Sequence, residues 1–294
     1  MSDDPTALDS AWIACNPPPV HGVGTTKNSR GRVLAIGGSR LVPGALRLTG
    51  EAALRAGAGK LQLATVACAA VGLGLLVPEA ATIGLPEDGD GEIGPDAADL
   101  LAKPLDGCDA LVIGPGVSTV DAALRLLRTA VARPRDGVVL VIDAMAIGCA
   151  RDVKTELSAF ADRLVLTPHH GEMAALTGRD ADAIAADPAP VARDVAANYG
   201  AVVVLKGSDT VIAAPDGALL HYGGGGTGLA TGGSGDVLAG AIGGLLSRGA
   251  SPLVAAGWGV WLHGQSGRRV ATTRGPIGFL AREVPAEFPR LLPQ

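Results

Sequence analysis

The stretch Gly223 to Arg248, GGGGTGLATGGSGDVLAGAIGGLLSR, limits the fold more than any other part of the chain. Its glycine-rich half can adopt φ > 0 and lets the backbone approach a ligand closely. Its second half places Val237, Leu238, Ile242, Leu245 and Leu246 at helical spacing and stops at Arg248-Gly249. A flexible loop therefore opens into a buried helix, with Asp236 in the first turn. Free N–H groups and the helix dipole at that end attract anions. An acid beside an anion site is a useful pair, because the amides hold a phosphate while the carboxylate takes a proton from an attacking hydroxyl. A plain helix start, with Ser234 or Asp236 as cap, explains the same residues.

Other segments alternate between short apolar runs and helical patterns. Strands are expected at Val33–Ile36, Leu61–Ala67, Thr82–Leu85, Ala110–Ile113, Val138–Ile142, Leu164–Leu166 and Val202–Leu205. Thr210–Ala213 and Ala218–His221 flank the turn Pro215-Asp216-Gly217. Helices are expected over Pro43–Arg55, Ala97–Lys103, Asp121–Ala132, Val191–Tyr199, Leu253–Val270 and Ala281–Leu292. This alternation predicts an α/β fold with a mainly parallel sheet covered on both faces. No composition break divides residues 1–294, so a single domain is expected, with 1–20 as an extended arm.

Hydrophobic residues make up 48% of the 294 and aromatics only 3%, so the core must be built from Ala, Val, Leu and Ile. A net charge of -5 without a basic cluster argues against nucleic-acid binding. Cys15, Cys68, Cys108 and Cys149 are widely spaced and read as reduced thiols of a cytoplasmic protein. The acidic N-terminus lacks a secretory h-region, and no apolar run is long enough to span a membrane.

Gly38-Ser39, Pro115-Gly116, Asp143, His169 with Glu172, and Lys206 all follow expected strands. Ligands in open α/β sheets bind at that edge. Asp143 either positions a metal-bound water or phosphate or caps the next turn. His169 reads as a binding residue; His169-His170 lacks the spacing of a helical zinc pair. Lys206 follows Val202–Leu205 and needs an anion, for which a nucleotide phosphate is a natural partner, unless it snorkels to solvent.

Together the blocks IGGSRLVPGALRLTGEAALRAGAGKLQLAT, ALVIGPGVS, VLVIDAMAI, LVLTPHHGEMAALTG, VVVLKGSDTVIAAPDG and TGLATGGSGDVLAGAIGGLLSRG resemble the ADP-dependent NAD(P)H-hydrate dehydratase family over roughly residues 20 to 290. The resemblance implies a ribokinase-like three-layer fold. It also implies repair of the (6S) hydrate of NADH or NADPH, a lyase reaction that consumes ADP and releases AMP and phosphate. In that family's pattern Asp236 is the base. Gly233, Ser234 and Gly235 supply the anion hole, and Lys206, Gly207, Ser208, Asp209, Thr210 and Gly235 bind the adenine nucleotide. Ala45, Gly116, His169 and Asp236 contact the hydrated cofactor. Magnesium bridges the nucleotide phosphates without a dedicated protein cage. A homotetramer and a separate epimerase are further implications, since 294 residues leave no room for the epimerase domain fused in many relatives.

Three positions depart from the family pattern. Met145 stands where a second aspartate is usual, His170 replaces proline and Gly226 replaces asparagine. The competing readings are a small-molecule kinase of the same fold and a non-catalytic nucleotide-binding regulator.

Overall fold

The structure is a computed structural model that describes residues 4–293. Ten strands form one sheet: β1 (Thr6–Ala7), β2 (Arg32–Ile36), β3 (Lys60–Val66), β4 (Ala80–Leu85), β5 (Ala110–Ile113), β6 (Val139–Ile142), β7 (Leu164–Leu166), β8 (Ala201–Leu205), β9 (Thr210–Ala213) and β10 (Leu219–Tyr222). Their order across the sheet is β1-β10-β9-β8-β7-β6-β5-β2-β3-β4. Only β9 runs against the others, through its antiparallel pairings with β8 and β10. The strands are short runs of Val, Leu, Ile and Ala, as expected for a parallel sheet buried on both faces.

Side chains alternate across the sheet and divide the core into two layers. Leu34, Ile36, Leu111, Ile113, Leu140 and Ile142 face one way, under the helices Ala97–Gly107, Val120–Val131 and Pro188–Tyr199. Val33, Ala35, Val112 and Val141 face the other way, under Ala45–Arg55, Ser234–Ser247 and Pro252–Arg274. The helix Ser234–Ser247 lies almost against Ala45–Arg55. A Cβ at Gly240 would run into the Thr49 carbonyl oxygen, and one at Gly244 into that of Ala53. Those two glycines set how closely the helices approach.

The first twenty residues do not form an extended arm. Thr6 and Ala7 add to the sheet edge in parallel register with Leu220 and His221. A helix follows over Ser10–Cys15, where Asp9 accepts hydrogen bonds from the amides of Ala11 and Trp12 at 2.9 and 3.0 Å. Leu8 and Ile13 are buried, and Trp12 packs on Gly257. The polar composition concealed three apolar side chains with room to dock. Met1–Asp3 lie outside the described residues. Sequence reasoning also missed the helix Ala67–Leu76, whose uniformly apolar sequence carries no amphipathic period. The expected helix near Ala281–Leu292 is two 3₁₀ turns and the short helix Phe288–Leu291.

Candidate active site

Five strands adjacent in the sheet, β8-β7-β6-β5-β2, end in the loops that carry most of the candidate residues. Their proximity follows from strand order. Lys206 leaves β8 beside the end of β7, where its amide donates to the Pro168 carbonyl at 2.7 Å. Its Nζ lies 3.0 Å from Asp143 Oδ1 and 3.7 Å from Glu172 Oε2. Thr167 Oγ1 donates to the same Asp143 oxygen at 2.7 Å. The anion that meets Lys206 is thus protein carboxylate. Lys206 therefore meets an anion, as its place after an apolar strand requires, and a phosphate arriving there joins an existing ion pair.

Burial disfavours the Lys206 ammonium. The Asp143 and Glu172 carboxylates and the hydrogen bond to Asp143 outweigh that penalty and hold its pKa above the ordinary value. Glu172 is pushed up, first by burial, with Lys206 opposing and Asp143 adding. Asp236 is pushed up to about 7, first by burial and then by Asp143, against the attraction of Lys206. A carboxyl poised near neutrality suits proton transfer, because it can both accept and return a proton.

Asp236 sits in the first turn of Ser234–Ser247, whose N-cap is Gly233 at φ 86°. A Cβ at Gly233 would lie 3.8 Å from Asp236 Oδ2, and one at Gly235 would lie 3.4 Å from Lys206 Nζ. The helix N-terminus, the base candidate and the lysine therefore form one cluster. Two amides of the expected anion hole, those of Ser234 and Gly235, differ. That of Ser234 already donates to the Thr231 carbonyl at 3.2 Å, whereas among the described residues no hydrogen bond engages that of Gly235. Ser234 Oγ is 2.9 Å from His263 Nε2, on the helix Pro252–Arg274. Burial, then the nearby Lys206 charge, lowers the His263 pKa to about 4 against the hydrogen bond with Ser234, so the ring is neutral. Sequence reasoning passed over His263, which stands inside a helix with only the isolated dipeptide His263-Gly264 to mark it.

His169 N-caps the helix His170–Thr177. Its Nδ1 accepts from the amides of Gly171 and Glu172 at 3.0 and 3.2 Å, and Glu172 Oε2 accepts from the His169 amide at 2.8 Å. Glu172 thus completes a capping box and faces Lys206 as well. The His169 side chain stays 59% exposed, so its capping role leaves it open to a ligand.

Gly207, Ser208 and Asp209 form the loop between β8 and Thr210, the first residue of β9. The glycine-rich loop packs on it, since a Cβ at Gly224 would collide with the Ser208 carbonyl. Asp209 Oδ2 is 3.0 Å from His221 Nε2. Ala45 and Gly116 adjoin: a Cβ at Gly116, whose φ is +73°, would lie 2.7 Å from that of Ala45. The Gly38 amide donates to the Pro115 carbonyl at 2.7 Å and ties those two loops together. Met145 is 38% exposed and lines a 340 Å³ cavity with His169 and Glu172. Before it, Ala144 holds φ 54° and ψ -138°, a conformation costly for any residue but glycine. The residue before the helix Met145–Cys149 is therefore strained, which the expected strand-end motif gave no sign of.

The fold and a glycine-capped acid at the strand ends define a ribokinase-like protein. A ribokinase-like superfamily protein from Enterococcus faecalis V583 superposes with TM-score 0.83 at 26% identity, over 99% of this chain and 96% of that one. A family model described as NAD(P)H-hydrate dehydratase matches residues 33–290, and the chain belongs to that family. The ADP-dependent (S)-NAD(P)H-hydrate dehydratase of Xanthomonas campestris is 48% identical over 93% of this chain and 92% of its own length. The bifunctional NAD(P)H-hydrate repair enzyme of Moorella thermoacetica is 40% identical over 97% of this chain, which spans 53% of that protein. The ADP/ATP-dependent NAD(P)H-hydrate dehydratase of Bacillus subtilis, co-crystallised with ATP and Mg²⁺, superposes with TM-score 0.81 at 27% identity, covering 99% of this chain and 98% of that one.

Proposed function

We propose that this protein repairs hydrated NADH or NADPH, using ADP to drive dehydration of the (6S) epimer. The observation that carries the proposal is the buried Asp236 carboxyl, raised to about 7 at a glycine-capped helix N-terminus beside Lys206. Hydroxide is a poor leaving group, so the C6 hydroxyl must first be phosphorylated. Asp236 takes the hydroxyl proton as the oxygen attacks the β-phosphorus of ADP, and AMP departs. The ring-nitrogen lone pair then expels phosphate from C6, and loss of a proton from C5 restores the dihydropyridine. A base so placed contributes about 10²–10⁴-fold.

The Gly235 amide, with Gly233 at the helix start, faces the charge that develops on the transferring phosphoryl group. Lys206 and the loop Gly207–Thr210 hold the adenine nucleotide, with Lys206 kept charged by Asp143 and Glu172. Ala45, Gly116 and His169 line the hydrated cofactor's side. Asp143, Glu172 and Asp236 offer the hard oxygen atoms that magnesium prefers. Among the described residues no three such ligands form a ready cage, which suits an ion held mainly by phosphates and water. Bound there, it would offset the negative charge that three carboxylates present to an anionic nucleotide.

Val71, Leu75 and Leu76 are exposed on the helix Ala67–Leu76, beside the edge strand β4, which supports a homo-oligomer, read as a tetramer. Four unpaired cysteines support a reducing, cytoplasmic setting. An epimerase activity supplies the (6S) form.

The direct test is the near-ultraviolet absorbance of reduced nicotinamide during incubation with hydrated NADH, magnesium and ADP. A nucleotide-dependent rise is expected. Nucleotide binding without any rise would overturn the reaction and favour a kinase with another substrate.

A further inference from the structure

We propose that a cavity at the opposite edge of the sheet is a second anion site, one that takes a nucleoside diphosphate or triphosphate. The cavity measures about 730 Å³ and is larger than the one beside His169. Lys27, Arg32, Lys60 and Lys103 line it. Arg32 and Lys60 are register partners at the first positions of β2 and β3. Gln62, Ala81 and Ile83 continue the same sheet face, and the helix Ala97–Gly107 covers it with Lys103. Asp143, Lys206 and the glycine loops all lie at the other ends of the strands. The five residues of β2 separate the two edges by roughly 17 Å.

The charge in this cavity is concentrated and largely uncompensated. Arg32 is held by Asp109 in a two-pronged pair of 3.0 and 2.8 Å. Lys27, Lys60 and Lys103 take part in no ion pair among the described residues, and Glu79 is the one acid in the lining. The whole chain has only five lysines and carries a net charge of -5. Three of the five line this cavity, against the single acid Glu79. Like charges brought together repel, and a ligand that spreads several negative charges over a few ångströms relieves that repulsion. A chain of two or three phosphates has that charge distribution.

The remaining lining selects against a bare anion. Ile83 and Leu100 supply an apolar wall, and the Gln62 amide offers both a donor and an acceptor. A volume of this size accommodates a ligand of nucleotide dimensions. The wall suits the flat face of a base and Gln62 its polar edge, while the lysines hold the phosphates. The site is separate from the nucleotide site proposed above and does not depend on it.

The experiment is equilibrium dialysis of ADP against wild type, the double variant Lys60→Glu/Lys103→Glu and the variant Lys206→Ala. Wild type should bind one ADP more per chain than the double variant, or bind that ADP roughly tenfold or more tightly. Lys60→Arg/Lys103→Arg should restore it. Inorganic tripolyphosphate should compete for that ADP only at higher concentration, because it cannot use the apolar wall. Lys206→Ala should spare this second ADP and affect only the other. Equal stoichiometry and affinity in wild type and the double variant would overturn the proposal, as would tripolyphosphate competing as well as ADP. Both lysines are surface side chains, and circular dichroism of the double variant checks its fold. A failed dehydratase assay would leave the wild-type-minus-variant difference intact, so the two proposals stand or fall separately.

Discussion

Lys206 Nζ lies 3.0 Å from Asp143 Oδ1, and this pair draws residues from the ends of three neighbouring strands into one cluster. Glu172 stands 3.7 Å away on the other side of the ammonium. With a third acid, Asp236, close enough to be attracted by Lys206 and repelled by Asp143, the lysine is outnumbered. Removing it leaves buried carboxylates facing one another. Lys206→Met should therefore lower unfolding free energy by about 3 kcal/mol in urea titrations, as loss of one partner from a buried pair does. It should weaken ADP binding as well; unchanged affinity would remove Lys206 from the nucleotide site.

Asp236 leads to a pH prediction with two signs. Its carboxyl is held at about 7, so in the free enzyme the base is protonated below that pH. kcat/KM should rise about tenfold per pH unit on the acid side and level off above about 7. Asp236→Asn should lose about 10²–10⁴-fold in kcat while still binding nucleotide. Stability goes the opposite way. In the unfolded chain the group titrates near 3.9. A raised folded pKa favours the native state fully below that value, and the advantage is lost as pH rises through about 7. The variant should match wild type in thermal unfolding near pH 4 and exceed it at pH 8.

His263 reaches the cluster only through Ser234, at 2.9 Å. His263→Phe should lower kcat by about tenfold if the ring sets the Ser234 hydroxyl and the helix start it belongs to. Because the ring is neutral down to about pH 4, the acid limb of the pH–rate profile should keep its midpoint near 7. A shifted midpoint would mean that His263 acts on Asp236 and not on Ser234.

Ala144 occupies a backbone conformation that suits glycine. Ala144→Gly should raise stability by about 1 kcal/mol, read from urea unfolding, because it relieves the strain at φ 54°. A fall in stability would show that the methyl group packs usefully against the turn and outweighs the strain.

The amino-acid sequence by itself determined nine of the ten strands and the polar residues that follow them. Val202–Leu205, Leu164–Leu166 and Ala110–Ile113 are continuous apolar runs that end in Lys206, Thr167 and Gly114, and they needed no partner to be recognised. Gly233-Ser234-Gly235-Asp236 was legible for a similar reason, because a helix start and its glycine cap are local events. The order β8-β7-β6-β5-β2 was decided only by the tertiary structure, since pairing joins residues far apart in the chain. That order sets Asp143 against Lys206, 63 residues later. It also gives Lys206 a protein counter-ion that no local pattern announced. The docking of Leu8, Trp12 and Ile13, and the contact of His263 with Ser234, belong to the same class. A short amphipathic segment or a lone histidine has no preferred place until a surface is built to receive it. Burial completes the site: it raises Asp236 to about 7, a property of the surroundings and not of the aspartate.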